Sequence, residues 1–321
     1  MWNLGRGRSG PATPTGQGFD VFTEPKQLGF EKDAYRDAAG RYSPDALTDA
    51  ALKWMESVDQ PFFLYLPFHD VHAPYDPKPE LLAKYKARSG VTDPAQAATV
   101  EAMDANVGRV LAALEKSGTA RRTYVIFTSD NGGTRQYVAP LRGGKGTLYQ
   151  GGLRVPAIIR GPGINPGQTS QATTLSMDWF PTVMELAGLT IPETVRVDGK
   201  SLAPLLGGKS TSLDRDIFWH FPCYIGGGGP CSAIRSGDWK LIELFETKTH
   251  ELYHLTGDSG ETKDLSAIDP QRAADLLARL HEWQTATRAP CPLQPNPAYD
   301  PSAAPKRGRD ERGKSSTKSS S

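Results

Sequence analysis

The chain is poor in the features that would place it in several large protein classes. No run of about 18 consecutive apolar residues occurs, the length a membrane-crossing helix requires, and Met1 to Gly10 (MWNLGRGRSG) offers no apolar core for an export signal. The sequence therefore predicts neither a transmembrane segment nor an export signal of its own. Cysteine is scarce: Cys223, Cys231 and Cys291 are too few and too scattered for a zinc site of paired Cys-x2-Cys ligands. A Cys223 to Cys231 bridge would close a glycine-rich loop. Charge of one sign is also missing. Lys and Arg number 37 against 36 Asp and Glu, a net of +1, so no nucleic-acid partner is expected. No Asn-x-Ser/Thr acceptor is present.

What the chain does have is length and punctuation. Its 321 residues include 33 Gly and 26 Pro, a loop-rich composition that excludes collagen, coiled coil and wholesale disorder, and at about 100 to 200 residues per domain it suggests one large or two unequal domains. Helical periodicity begins at Ser43-Pro44, with Leu47, Ala51, Trp54, Met55 and Val58 on one face. Phe62 to Pro67 (FFLYLP) reads as a strand buried on both faces. Asp93-Pro94 opens a second helix, with Val100, Met103, Val107, Val110, Leu111 and Leu114 as its stripe and Gly118 as its stop. Tyr124 to Phe127 and Val155 to Ile159 read as further strands, and Asp178 as the cap of a helix ending at Gly188. Alternating helices and buried strands predict an α/β sandwich with a mostly parallel sheet.

The pattern changes after Gly207. Four short strand-like runs, Phe218 to Phe221, Ala233 to Ile234, Trp239 to Phe245 and Glu251 to Leu255, predict a small antiparallel sheet. A helix from Asp269-Pro270 through Leu276, Leu277, Leu280 and Trp283 would pack across it. The expected organisation is an incomplete catalytic α/β region over residues 1–207, an α+β subdomain over 208–289, and a Pro/Ser/basic tail over 290–321. Residues 305–321 carry a local net charge of +4 and read as disordered.

In open α/β sheets, ligands gather beyond the carboxyl ends of strands. His69, Asp70 and His72 follow the Phe62 run, and Asp130 and Asn131 follow the Tyr124 run. Asp130 and Asn131 offer only oxygen donors, the chemistry a hard cation prefers, although an Asp-Asn-Gly-Gly turn also bonds its own backbone. Leu141 to Gly152 (LRGGKGTLYQGG) places five glycines around Lys145, which lets backbone N–H groups and one ammonium approach an oxyanion. The loop lacks the G-x4-G-K-[ST] spacing of a P-loop. His72 carries an imidazole, a side chain suited to proton transfer near neutral pH. The H-x-x-H pair of His69 and His72 lacks the helical H-E-x-x-H setting of a zinc site. His220, within FWHFP, reads from its neighbours as a packed histidine.

Taken in order, MDANVGRVLAALEKSGTARRTYVIFTSDNGG, RGGKGTLYQGGLRVPAIIRGPG, MDWFPTVMELAGL and DGKSLAPLL resemble the arylsulfatase family of sulfatases. PFFLYLPFHDVHAPYDP and RSGDWKLIELFE with HELYHLTGDSGETKDLS fit the same family. The resemblance runs from Trp2 to about Ala286. It implies an alkaline-phosphatase-like α/β fold with a small C-terminal sheet domain, and calcium-assisted hydrolysis of sulfate esters by a formylglycine nucleophile, with magnesium the lesser alternative. A phosphoesterase of the same superfamily or a non-catalytic sulfatase remnant are the other readings.

By that resemblance, Asp130 and Asn131 match metal ligands and Lys145 matches the lysine bridging the sulfate and the leaving-group oxygen. His72 matches a sulfate-contacting proton donor, and His220 a residue of the substrate pocket. The substrate would be a sulfated small molecule or carbohydrate, and the compartment periplasmic or extracellular. The family's C-x-P-S-R or C-x-A-x-R nucleophile motif, with two more aspartates, is expected upstream of this sequence. Cys231-Ser232-Ala233-Ile234-Arg235 spells C-x-A-x-R but precedes SGDWKLI, far from the family position, so no nucleophile is assigned in this chain. Trp2-Asn3-Leu4-Gly5 resembles the end of the family's G-K-W-H-L-G motif, with Met1 and Asn3 in place of its lysine and histidine. A parallel sheet without its early strands should leave Phe62 to Leu66 uncovered.

Overall fold

The computed structural model describes residues 11–32, 34–224, 229–292, 294 and 296–300. Trp2 to Gly5 and most of the basic tail lie outside the described residues. The chain packs as two compact units, residues 1–124 and 125–321, and the composition change at Gly207 falls inside the second. Among the described residues no helix is long and apolar enough to cross a membrane.

The first unit is helical. Helix α1 (Ser43–Ser57) starts with Pro44 in its first turn, where a missing N–H costs nothing. It is followed by α2 (Pro79–Lys86) and α3 (Pro94–Lys116). Asp93 caps α3 by accepting from the amides of Ala95 and Gln96, both at 3.0 Å. The buried face of α3 is Ala98, Thr99, Ala102, Asn106 and Leu114, while Val100 stays exposed. The stripe expected from apolar periodicity is thus displaced toward small residues. These allow close approach to α1, where Asp45 accepts from Asn106 at 2.9 Å and from Lys78 at 2.6 Å.

Phe62 to Pro67 is not a strand. It has no ladder partner among the described residues, and Phe62, Phe63 and Tyr65 are exposed. β-propensity shows only that a segment suits a pleated, half-buried surface, and strand formation also needs a neighbouring backbone. Its rings pack on side chains instead: Trp54 meets Phe62 edge-on at 5.2 Å, and Phe19 meets Phe63 at 6.1 Å.

The second unit opens with β1 (Val125–Thr128), then the short helix α4 (Gln150–Leu153) and β2 (Ala157–Arg160). The α/β class holds, but the pairing differs from the expected parallel ladder. β1 and β2 run antiparallel, Val125 opposite Arg160 and Thr128 opposite Ala157, because the loop between them folds back on itself. Helix α5 (Trp179–Leu186) begins at Asp178, which does not cap it as expected. The buried Asp178 carboxylate instead accepts from the amides of Leu175 and Lys200 and from both terminal nitrogens of Arg215. Burial opposes its charge, yet these donors hold its carboxyl below the ordinary range. A short α6 (Ala203–Leu206) follows.

The C-terminal part matches the sequence reading closely. Strands β3 (Asp216–Phe221), β4 (Cys231–Ser236), β5 (Trp239–Leu244) and β6 (Thr249–His254) form an antiparallel sheet in chain order. Helix α7 (Pro270–Thr287) is capped by Asp269, whose carboxylate accepts from Arg272 N at 3.1 Å. Alternation gives the sheet two faces. Ile234, Leu241 and Leu252 pack on Ala273, Leu276 and Leu280 of α7. Cys231, Ala233, Ile242 and Tyr253 face the other way and cover Leu148 and Leu255. All three cysteines are free. The Cys223–Cys231 bridge does not form, since Cys231 is buried in register opposite Phe221 while Cys223 is exposed past the strand end.

Candidate active site

Of the candidate residues, the structure joins Asp130, Asn131 and Lys145 in one backbone knot. β1 delivers the chain to Asp130 and Asn131, and the Gly132 amide then donates to Gly152 O at 3.0 Å. The Lys145 amide donates to Gly133 O at 2.8 Å. Glycine is required here by contact. A β-carbon on Gly132 would sit 2.0 Å from Gly151 O, and one on Gly152 would sit 2.2 Å from Thr147 O. Gly143 and Gly146 hold φ of +79° and +85°. The loop closes with Gly151 N donating to Arg142 O at 2.8 Å and Thr147 Oγ1 to Gly144 O at 2.8 Å. The glycine-rich segment is a compact turn that exposes Lys145.

Asp130 is exposed and Asn131 half-buried. Their oxygens fit a hard cation by type. They fall short by number, because calcium takes about six to eight oxygen ligands and no group of three or more His, Cys, Asp or Glu side chains gathers for a metal among the described residues.

His72 lies in the first unit. Its turn is held by Tyr35, whose hydroxyl donates to His69 O at 3.0 Å and His72 O at 3.1 Å. The His69 ring stacks on Tyr35 at 5.6 Å and on His72 at 5.5 Å. His72 Nδ1 lies 2.6 Å from Ala73 O, and a carbonyl only accepts, so Nδ1 carries a proton. A proton passed to a substrate would therefore leave from Nε2 of the imidazolium. Between the two histidines Asp70 is fully buried, its carboxylate oxygens without a hydrogen-bond partner, and burial pushes its carboxyl up to about 6.

His220 sits on β3 with both ring nitrogens engaged, Nδ1 with Ser232 Oγ at 2.6 Å and Nε2 with Pro290 O at 3.1 Å. The Cys231-Ser232-Ala233-Ile234-Arg235 string lies in β4, as its sequence position implied. Burial raises the Cys231 thiol to about 11, away from the thiolate that a nucleophile or modified cysteine site favours.

Sequence reasoning missed a cluster that packs against the lysine loop. Lys240 and Glu261 are both fully buried and joined at 2.6 Å. Lys240 also donates to Leu148 O at 2.6 Å, and the Gln150 amide donates to the second Glu261 oxygen at 2.6 Å. Burial lowers the Lys240 ammonium from its ordinary range, and the Glu261 carboxylate counters that. Tyr149, between these two anchors, lies under the Arg142 guanidinium at 4.0 Å and donates to Glu251 at 2.7 Å. Arg142 also donates to Glu261 O at 3.2 Å. The available signal was a lysine inside the apolar strand run WKLIEL.

The sulfatase family model matches residues 2–189, and a second model, N-sulphoglucosamine sulphohydrolase, C-terminal, matches residues 144–289. The chain is similar to a sulfatase of Formosa agariphila, 39% identical over 285 residues that cover 78% of this chain and 51% of the relative. It is also similar to the steryl-sulfatase of Mus musculus, 38% identical over 297 residues covering 78% and 46%. Among solved structures, that of Ps i-CgsB aligns with a TM-score of 0.74 at 25% identity, over 86% of this chain and 69% of that one. The chain thus spans about half the length of the curated relatives it matches. With the family model covering most of residues 1–189, and the glycine-knotted Lys145 loop inside it, the chain belongs to the sulfatase family.

Proposed function

We propose that this chain carries part of the site of a sulfuric ester hydrolase acting on a sulfated small molecule or carbohydrate. The observation that carries the reading is the pair of backbone bonds, Lys145 N to Gly133 O and Gly132 N to Gly152 O, that knots the ammonium-bearing loop to the Asp130-Asn131 turn. In this reading Lys145 neutralises the sulfate and the leaving-group oxygen, a charge fixed in place before the reaction begins. The family resemblance assigns His72 as the proton donor to the leaving group, and its proton would leave from Nε2.

Asp130 and Asn131 would hold part of the shell of a divalent cation, calcium in preference to magnesium, which when bound adds positive charge beside the sulfate. No residue of this chain is assigned as nucleophile. His220 would reach substrate only by exchanging its bond to Ser232 or Pro290. The carbohydrate option draws support from the C-terminal match to a sulphoglucosamine sulphohydrolase model, and the small-molecule option from the steryl-sulfatase relative.

The test is hydrolysis of matched sulfate and phosphate esters by the natively produced protein, with its intact mass and N-terminal peptide measured alongside. Calcium-dependent sulfate release, lost in Lys145→Met and His72→Asn, is the expected result. A strong preference for the phosphate esters, or no cleavage across a broad sulfate panel, overturns it.

A further inference from the structure

The lysine loop contains five glycines within Leu141 to Gly152, so its backbone has more freedom to lose than an ordinary segment. On one side it is tied to the Asp130-Asn131 turn. On the other, the Lys240–Glu261 pair grips the backbone on both sides of Tyr149, through Leu148 O and Gln150 N.

Stability alone does not call for charges at this place. A fully buried ion pair often contributes no more than a well-packed apolar pair of the same volume. An apolar pair, however, offers Leu148 O no donor and Gln150 N no acceptor. Lys240 and Glu261 do both while neutralising each other, and Glu261 adopts φ +53° to do so, a left-handed conformation that side chains disfavour. Arg142 adds a second grip through Tyr149, Tyr253 and Glu261 O.

We propose that the buried Lys240–Glu261 pair of the C-terminal sheet is the positioning device of the oxyanion loop, fixing the backbone from Leu148 to Gln150 and through it the placement of Lys145. The inference rests on the reading of Lys145 as the oxyanion ligand. Lys240 and Glu261 are positioning residues, with no contact to substrate assigned.

The experiment compares the full chain with Lys240→Met/Glu261→Leu, which keeps a packed, uncharged pair. Calorimetric titration with sodium sulfate and hydrogen exchange at the amides of Lys145, Gly151 and Gly152 are the readouts. The expected result is sulfate binding weakened about tenfold or more, since small displacements of a charged ligand group are costly, and loop exchange faster by about tenfold or more, beyond any change seen in the control below. Leu280→Val is the control. It loosens the opposite, α7-facing side of the sheet and is expected to lower Tm while leaving sulfate affinity and loop exchange as they were.

If the double variant does not fold, Gln150→Pro removes the one gripped amide at a helix start that accepts proline. The same losses are then expected at about tenfold or more, in keeping with one hydrogen bond to a charged group. Unchanged sulfate affinity and loop exchange in the folded variant would overturn the proposal, as would equal losses in Leu280→Val. Equal sulfate binding by wild type and Lys145→Met would instead defeat the oxyanion reading and the placement of Lys145 with it. The exchange data would still report separately whether the pair holds the loop.

Discussion

The backbone amide of Lys145 donates to the carbonyl of Gly133 at 2.8 Å, so the residue assigned to the sulfate is hydrogen-bonded to the turn assigned to the cation. Two segments that are separate in sequence are one object in space, and substitutions in either should be felt in both.

Gly152 gives the sharpest case. A β-carbon there would lie 2.2 Å from Thr147 O and 2.5 Å from Gly144 O, both backbone atoms that cannot rotate aside. Gly152→Ala is expected to cost about 1–3 kcal/mol, as overpacking does, and to abolish sulfate binding. Gly118→Ala, at φ +70° but in open space, should lower stability in denaturant titration without touching anion affinity.

Asp70 should make stability fall as pH rises. Its folded carboxyl is raised to about 6 from an ordinary value of 3.8. The native state therefore binds more protons than the unfolded state between these values, and stability present below pH 4 is lost as pH climbs through 6. The shift corresponds to about 3 kcal/mol at most. Asp70→Asn is expected to match wild type near pH 4 and to exceed it near pH 8, by up to that amount, in urea unfolding at the two pH values.

For the cation, the prediction concerns weakness as well as place. With two oxygen donors assigned in this chain, calcium binding is expected at about millimolar concentration or weaker. It should appear as a small concentration-dependent rise in Tm that Asp130→Ala removes. Tight binding that survives Asp130→Ala would put the ion elsewhere.

Asp93 offers a test of the first unit by itself. Its carboxylate satisfies two amides at the start of α3, and Asp93→Ala should cost about 1 kcal/mol, read as a lower unfolding midpoint at constant slope.

Legibility followed the range of the interactions. Helix α7 could be read from Asp269-Pro270 and its leucines because cap, proline and stripe all lie in consecutive residues. The four C-terminal strands were legible because each pairs with its neighbour in sequence. Phe62 to Pro67 was not, since a strand depends on partners that no local pattern specifies. Asp178 was misread as a cap because two of its donors, Lys200 and Arg215, are 22 and 37 residues away. Asp130, Asn131 and Lys145 stood out by residue type and motif. The grip on their loop did not: Lys240 looked like an ordinary polar position of a strand, and Glu261 like part of the polar turn TGDSGETK.

The two-faced sheet also bears on the order in which the chain folds. β3 to β6 pair only with sequence neighbours, so little loop entropy opposes their assembly, and α7 follows directly. The bond from Lys240 to Leu148 O spans 92 residues and depends on a sheet that already exists. The sheet is thus expected to form first, as a template onto which the lysine loop is laid late. Weakening the sheet would slow folding, whereas weakening the grip of Lys240 and Glu261 would chiefly hasten unfolding of the loop.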